Sequence, residues 1–208
     1  MARRTKEEAE ATKKAISIAT LEIFCEKGYS RTTFDEIAKR INLTKGAVYW
    51  HFRNKADILS EIIRKTFEIT RNIIAIKVPK IDSLEQLKQY MHEGLKLIEN
   101  NPEYRQCLYF VFHQMEWSEA ILNKVSADVK SITDFNKEQI KKALKNEQES
   151  KQIKPELNIE DIIECIDGLW VSILRNIVIP GADFNEFKRL LDVSFEIVLN
   201  GITTKGTN

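Results

Sequence analysis

Apolar and polar positions recur with a helical period along almost the whole chain, and most apolar stretches open on a capping signature. Thr5-Lys6-Glu7-Glu8 predicts a helix start; the apolar face then runs Ile16, Ala19, Ile23 and Phe24, and the helix stops at Gly28. Thr33-Phe34-Asp35-Glu36 reads as a capping box, the Thr33 hydroxyl accepting from the amide three residues on while Glu36 reaches back. That helix is short and closes near Ile41-Asn42. Thr44 caps another short one to about Phe52, and Asn54 caps a long one to about Lys77, before Pro79 breaks the chain. Ser83 opens a helix that ends at Asn100-Asn101, and Pro102 suits the first position of the next. A long helix follows Ser118 to about Glu149, then a polar loop with Pro155. The last two span about 158–179 and 183–200, divided by Pro180-Gly181, and Asp183-Phe184-Asn185-Glu186 is one more box. The prediction is an all-α chain of about nine helices. The 54–77 segment serves as the rigid link between a small head and a larger body.

Composition strengthens that reading. Gly (7) and Pro (4) are too scarce in 208 residues for a chain of many short strands. The longest dense apolar run, 107–112, falls far short of the roughly 18–20 residues a membrane span needs. No apolar stretch follows the basic start, so a secretory signal is not expected, and the expected location is cytoplasmic, with no membrane partner. Cys25, Cys107 and Cys165 share no metal-type or redox spacing and read as buried reduced thiols. A net charge of +1 points to no partner, but its distribution does. Residues 1–55 carry 12 Lys+Arg against 7 Asp+Glu, a net of +5, and the remainder is net −4. A basic head on an acidic body suggests that the head meets a polyanion.

Residues 33–52 have the spacing of a helix-turn-helix. Ile37, Ala38, Ile41, Leu43, Val48 and Phe52 form its expected core. Asn42 stands at the turn, where a left-handed backbone is wanted. The second helix is left with Thr44, Lys45, Gly46, Ala47, Tyr49, Trp50 and His51. Small Gly46 and Ala47 would let the backbone approach bases, while Lys45, Tyr49 and His51 reach bases or phosphates in a major groove. Gly28-Tyr29-Ser30-Arg31-Thr32-Thr33-Phe34-Asp35-Glu36-Ile37-Ala38, followed by Leu43-Thr44-Lys45-Gly46-Ala47-Val48-Tyr49-Trp50-His51-Phe52-Arg53-Asn54-Lys55, resembles the signature of the TetR/AcrR family of transcriptional regulators. The opening Arg3-Arg4-Thr5-Lys6-Glu7-Glu8-Ala9, with Tyr49-Trp50-His51-Phe52, further resembles its multidrug-efflux repressors. Asn42 departs from the glycine usual in that family. The resemblance implies a homodimeric repressor with two heads in successive major grooves of a near-palindromic double-stranded DNA operator. Lys45, Gly46 and Tyr49 would face the groove, and Thr33, Trp50, His51 and Lys55 would hold phosphates.

On this reading 1–55 is the DNA-binding domain and 56–208 binds a small-molecule inducer and dimerises through the last two helices. Those helices carry apolar faces wider than one core-facing stripe, including Ile162, Ile166, Leu169, Ile173, Leu190, Val193 and Phe195. A pocket for a bulky, hydrophobic or cationic compound is expected among Met91, Leu95, Leu108, Phe112, Met115, Ile132, Phe135, Gln139 and Ile163. Phe67 and Trp170 are either ligand wall or plain core. Asp167, in an apolar stretch, either receives a ligand's cation or donor, bonds a neighbouring helix, or crosses the dimer seam. An enzyme is not expected. His51, His92 and His113 lack metal-ligand spacing, and no acid–base pair, nucleophile motif or Gly-rich phosphate loop is present, so no metal or cofactor is foreseen.

Overall fold

The computed structural model describes residues 6–204, apart from the side chains of 127–136 and 139. Nine α-helices are present among the described residues: α1 Lys6–Lys27, α2 Phe34–Arg40, α3 Lys45–His51, α4 Lys55–Lys77, α5 Leu84–Asn100, α6 Pro102–Tyr109, α7 Glu119–Glu149, α8 Ile159–Ile177 and α9 Phe184–Ile202. The all-α fold is as expected. One isolated bridge joins Ile153 to Thr203. No helix of the described residues is long and apolar enough to cross a membrane.

The caps explain the boundaries. Thr33 and Glu36 form the reciprocal box at α2, Ser83 accepts from the Gln86 amide at α5, and Asn158 accepts from the Glu160 amide at α8. At α9 the Asp183 carboxylate reaches the Asn185 amide, two residues on. The expected cap at Thr5 lies outside the described residues.

One departure changes the geometry. α6 does not continue as an α-helix past Tyr109 but widens into a π-helical turn, Phe110–Gln114, closed by the Met115 amide on the Phe110 carbonyl at 2.9 Å. The turn admits one extra residue per hydrogen bond. Leu108, Phe112 and Met115 therefore do not share the single α-helical stripe that their spacing predicts. Trp117 donates its indole N–H to the Val111 carbonyl within this turn.

The chain forms two compact units, residues 1–67 with 109–130, and residues 68–108 with 131–208. In the first, Ile16, Ala19, Ile23 and Phe24 of α1, Phe34, Ile37 and Ala38 of α2, Val48 of α3 and Ile58, Leu59, Ile62 and Ile63 of α4 are buried. Ile41 and Leu43, expected in that core, are only half-buried, because they belong to the turn. Phe110 is fully buried and stacks on Phe24 at 5.2 Å, and Gln114 donates to the Cys25 carbonyl, so the π turn is fastened to α1.

In the second unit α8 packs on α9, and α9 on α5, over Leu87, Leu95, Ile98, Ile163, Ile166, Ile173, Leu191 and Phe195. Lys88 and His92 of α5 both meet Asp192 of α9, and Lys188 meets Glu99. A large apolar set is left exposed on α8, on α9 and just beyond α8: Leu169, Val171, Ile179, Leu190, Val193 and Ile197. The expectation of three buried thiols is corrected here. Cys107 is buried, but Cys25 is half-buried and Cys165 is exposed, because Cys165 lies one turn before Leu169 on the uncovered face of α8.

Candidate nucleic-acid interface

α2 and α3 are held by a turn that leaves little freedom. The Leu43 amide donates to the Ala38 carbonyl at 2.8 Å, and Asn42 takes φ 54°, the left-handed conformation that Asn tolerates better than other side-chain-bearing residues. Thr33 makes three hydrogen bonds with Glu36: its amide and hydroxyl donate to Oε2, and its Oγ1 accepts from the Glu36 amide. Glu36 also pairs with Lys27 of α1. The Lys27 ammonium and the Thr33 hydroxyl together hold its carboxyl down at about 2.

α3 has seven residues, of which Val48 is the one fully in the core. Thr44 caps it, accepting from the Ala47 amide at 3.2 Å. Everything else faces outward to some degree. Trp50 is 70% exposed and meets His51 edge-on at 4.6 Å, and Tyr49 is 52% exposed and leans on Phe34. Lys45 is exposed and paired with Asp35 of α2 at 2.7 Å, which raises its pKa. A β-carbon added to Gly46 would meet nothing nearer than Thr44 Oγ1 at 3.9 Å, so internal packing does not demand glycine there. Two exposed aromatics, a lysine and a bare backbone thus lie together on one short helix. Such a surface suits a polyanion with aromatic edges.

Lys55 is placed differently. Its ammonium is turned into the protein, donating to the Tyr29 carbonyl at 2.6 Å and the Ser30 carbonyl at 3.0 Å, over the Tyr29 ring at 4.8 Å. Burial pushes its pKa down, helped by Lys27. Tyr29 and Ser30 are residues that sequence reasoning did not single out, since their part is played by backbone carbonyls that no side-chain pattern reports.

The residues expected to line a ligand pocket divide. Phe67, Phe112 and Met115 belong to the first unit and are half-buried. Met91, Leu95, Leu108 and Ile163 belong to the second and are buried. The side chains of Ile132, Phe135 and Gln139 lie outside the described residues. Trp170 is half-buried against Gly94: a β-carbon there would come within 3.0 Å of its ring. Gly94 was not singled out, although a glycine inside a strongly amphipathic helix is itself a signal of close approach. Asp167 is half-buried with its pKa raised, chiefly by burial, against the pull of Lys137. Among the described residues, no group of three His, Cys, Asp or Glu is arranged to hold a metal.

Residues 16–62 match the family described as bacterial regulatory proteins, tetR family, and residues 82–198 match the C-terminal region of MAATS-type transcriptional repressors. The chain is 27% identical over 192 residues to the probable acrEF/envCD operon repressor of Escherichia coli K12, covering 91% of this chain and 86% of that protein. It is 34% identical over 124 residues to the transcriptional regulator AcrR of Shigella flexneri, covering 56% and 55%. Among solved structures it resembles NalD, the secondary repressor of the MexAB-OprM multidrug efflux pump in Pseudomonas aeruginosa, with TM-score 0.79, 21% identity and coverage of 96% and 100%. SmeT, the repressor of the Stenotrophomonas maltophilia efflux pump SmeDEF, superposes with TM-score 0.71 at 18% identity, covering 95% and 93%. The head and more than half of the chain beyond it are thus both matched, and the chain belongs to the tetR family of bacterial regulatory proteins, which bind DNA and are not enzymes.

Proposed function

We propose that this DNA-binding repressor, related to the repressors of efflux operons, controls a multidrug-efflux operon and leaves its operator when a bulky hydrophobic or cationic small molecule binds. The observation that carries the DNA half is α3, which gives one residue, Val48, fully to the core and turns Lys45, Gly46, Tyr49 and Trp50 outward. Thr33, Thr44, Ala47 and His51 complete the contacting set, with Lys45, Gly46 and Tyr49 facing the groove, small Gly46 and Ala47 letting the backbone approach the bases, and Thr33, Trp50 and His51 positioning on phosphates. Lys55 belongs to the interface by its place at the first turn of α4. Residues 1–55 would act as the DNA-binding domain and 56–208 as the ligand-binding and dimerising one.

Homodimerisation through α8 and α9 is supported by the exposed apolar set, with Leu190, Val193 and Ile197 spaced three and four residues apart on one face of α9. A solved complex of SmeT with triclosan supports a ligand of this class. Phe67, Met91, Leu95, Leu108, Phe112, Met115, Ile132, Phe135, Gln139, Ile163, Asp167 and Trp170 are the residues proposed for it. α4 starts in the first unit and ends in the second, so a ligand that displaces it would change the spacing of the two heads. Ligand and operator would then oppose each other reciprocally, by about 1–3 kcal/mol as in other allosteric proteins.

The test is selection of a duplex from a random library by the purified protein, followed by displacement with hydrophobic and cationic drugs. A near-palindromic winner released by such compounds supports the reading. Tight binding that no compound of the panel weakens would refute the inducible half. Release by long-chain acyl-CoA alone would move the ligand class to that seen with FadR of Bacillus subtilis, solved with stearoyl-CoA.

A further inference from the structure

Residues 25–31, at the end of α1 and in the turn after it, line a cleft of ≈ 520 Å³ together with Gln114 and Glu116. All of them belong to the first unit. The volume lies within the range of small-molecule sites, roughly 300–1,000 Å³. Space continues over the backbone at Gly28, which has φ 89° and where a β-carbon would meet nothing within 4 Å.

The walls are fixed by their own hydrogen bonds. On one side Thr32 donates its amide to the Tyr29 carbonyl and its hydroxyl to the Gly28 carbonyl, and Lys55 donates to the Tyr29 and Ser30 carbonyls. On the other, the Met115 amide closes the π turn on Phe110, and the Trp117 indole donates to the Val111 carbonyl. Walls already ordered cost little further ordering when a ligand binds.

The polar groups of the lining divide into those already paired and those still to be met. Lys27 pairs with Glu36, and Glu26 with Arg40 at 2.6 Å. Arg31 engages only Nε, on the Lys27 carbonyl at 2.6 Å, and has no ion pair among the described residues. Its two terminal nitrogens remain, and the fork they form matches a carboxylate. Glu116 is exposed and likewise unpaired among the described residues. Gln114 donates Nε2 to the Cys25 carbonyl at 3.3 Å, and because a carbonyl only accepts, this fixes which end of the amide is oxygen. Oε1 is then buried with no donor, a condition rare for a buried acceptor. One cation, one anion and one acceptor thus stand uncommitted around the same space. The lining is mainly polar, unlike the apolar walls usual for bulky drugs.

We propose that this cleft is a second ligand site, for a small zwitterion of the amino-acid class, sharing no residue with the set proposed for the drug pocket. The ligand's carboxylate meets the Arg31 fork. Its ammonium meets Glu116 and, as the Gln114 amide turns to offer it, supplies the donor that Oε1 lacks. The site stands apart from the DNA-binding reading, and its test needs no duplex.

The test is calorimetric titration of the full-length protein with each of the common amino acids. Any that binds is compared with its methyl ester, which lacks the carboxylate, and with its N-acetyl form, which lacks the ammonium. At least one amino acid should bind with Kd below about 1 mM, and each derivative should bind roughly tenfold or more weakly. Arg31→Gln should abolish the preference for acid over ester, and Glu116→Gln the preference for free amine over N-acetyl. No binding up to about 10 mM, equal binding of either derivative, or an affinity unchanged in either variant overturns the proposal. If Arg31→Gln does not fold, Glu116→Gln decides alone, since Glu116 is exposed and pairs with nothing among the described residues.

Discussion

Gly94 tests how the second unit is packed. It lies inside α5, where alanine would add about 1 kcal/mol of helix propensity. Its β-carbon, however, would sit 3.0 Å from Trp170 Cζ2, 3.1 Å from Cη2 and 4.0 Å from Ile74 Cδ1. Carbon pairs are at their best near about 3.5–4.0 Å, so the rigid indole must retreat by roughly 0.5 Å. Overpacking of this size costs about 1–3 kcal/mol, which outweighs or cancels the propensity gain. Gly94→Ala is expected to leave stability unchanged or lower it by up to about 2 kcal/mol. In a chain of this size each kcal/mol corresponds to a fall in Tm of about 2–4 °C. The sign reverses when the ring is gone. In a Trp170→Val background the same substitution should stabilise by about 1 kcal/mol, giving a coupling of about 1–3 kcal/mol between the sites. Urea unfolding of the four proteins measures this, all at one concentration so that any contribution from association is compared on equal terms. An equal effect of Gly94→Ala in both backgrounds would refute the contact. Because Trp170 is also a proposed pocket residue, the displaced ring should alter drug affinity in Gly94→Ala while leaving operator binding intact.

The turn at Asn42 gives a second expectation: Asn42→Gly should be tolerated within about 0.5 kcal/mol, while Asn42→Val should cost about 1–2 kcal/mol, read by thermal unfolding, because φ 54° is closed to a β-branched residue. Glu36 supplies a pH dependence. Its folded pKa of about 2 lies below the unfolded 4.5, so its contribution is complete above 4.5 and is lost as pH falls toward 2. Acid titration of Glu36→Gln should therefore show a shallower loss of stability over that range than wild type, and parallel curves would contradict the Lys27–Glu36–Thr33 arrangement. Asp35→Asn frees Lys45 from its carboxylate and removes a negative charge beside the proposed DNA face. Random-duplex affinity, measured by anisotropy, should rise several-fold, by roughly the effect of one added phosphate contact, and no rise would mean that the pair does not face DNA.

The sequence by itself determined the helices, their caps and the head. Helical period, capping residues and turn chemistry are local properties, so the Thr33–Glu36 box, the Asn42 turn and the outward set on α3 stand where their spacing puts them. The family signature sits in that same local stretch, which is why the nature of the protein was legible from a quarter of the chain. Tertiary structure decided what depends on partners distant in sequence. It turned the Lys55 charge onto two backbone carbonyls, wound 110–114 into a π turn that broke the Leu108–Phe112–Met115 stripe, seated Trp170 on Gly94, and left Cys165 uncovered. Pattern reports which face of a helix is apolar. Which neighbour covers that face, and where a long side chain finds its acceptors, follows only once the helices are packed.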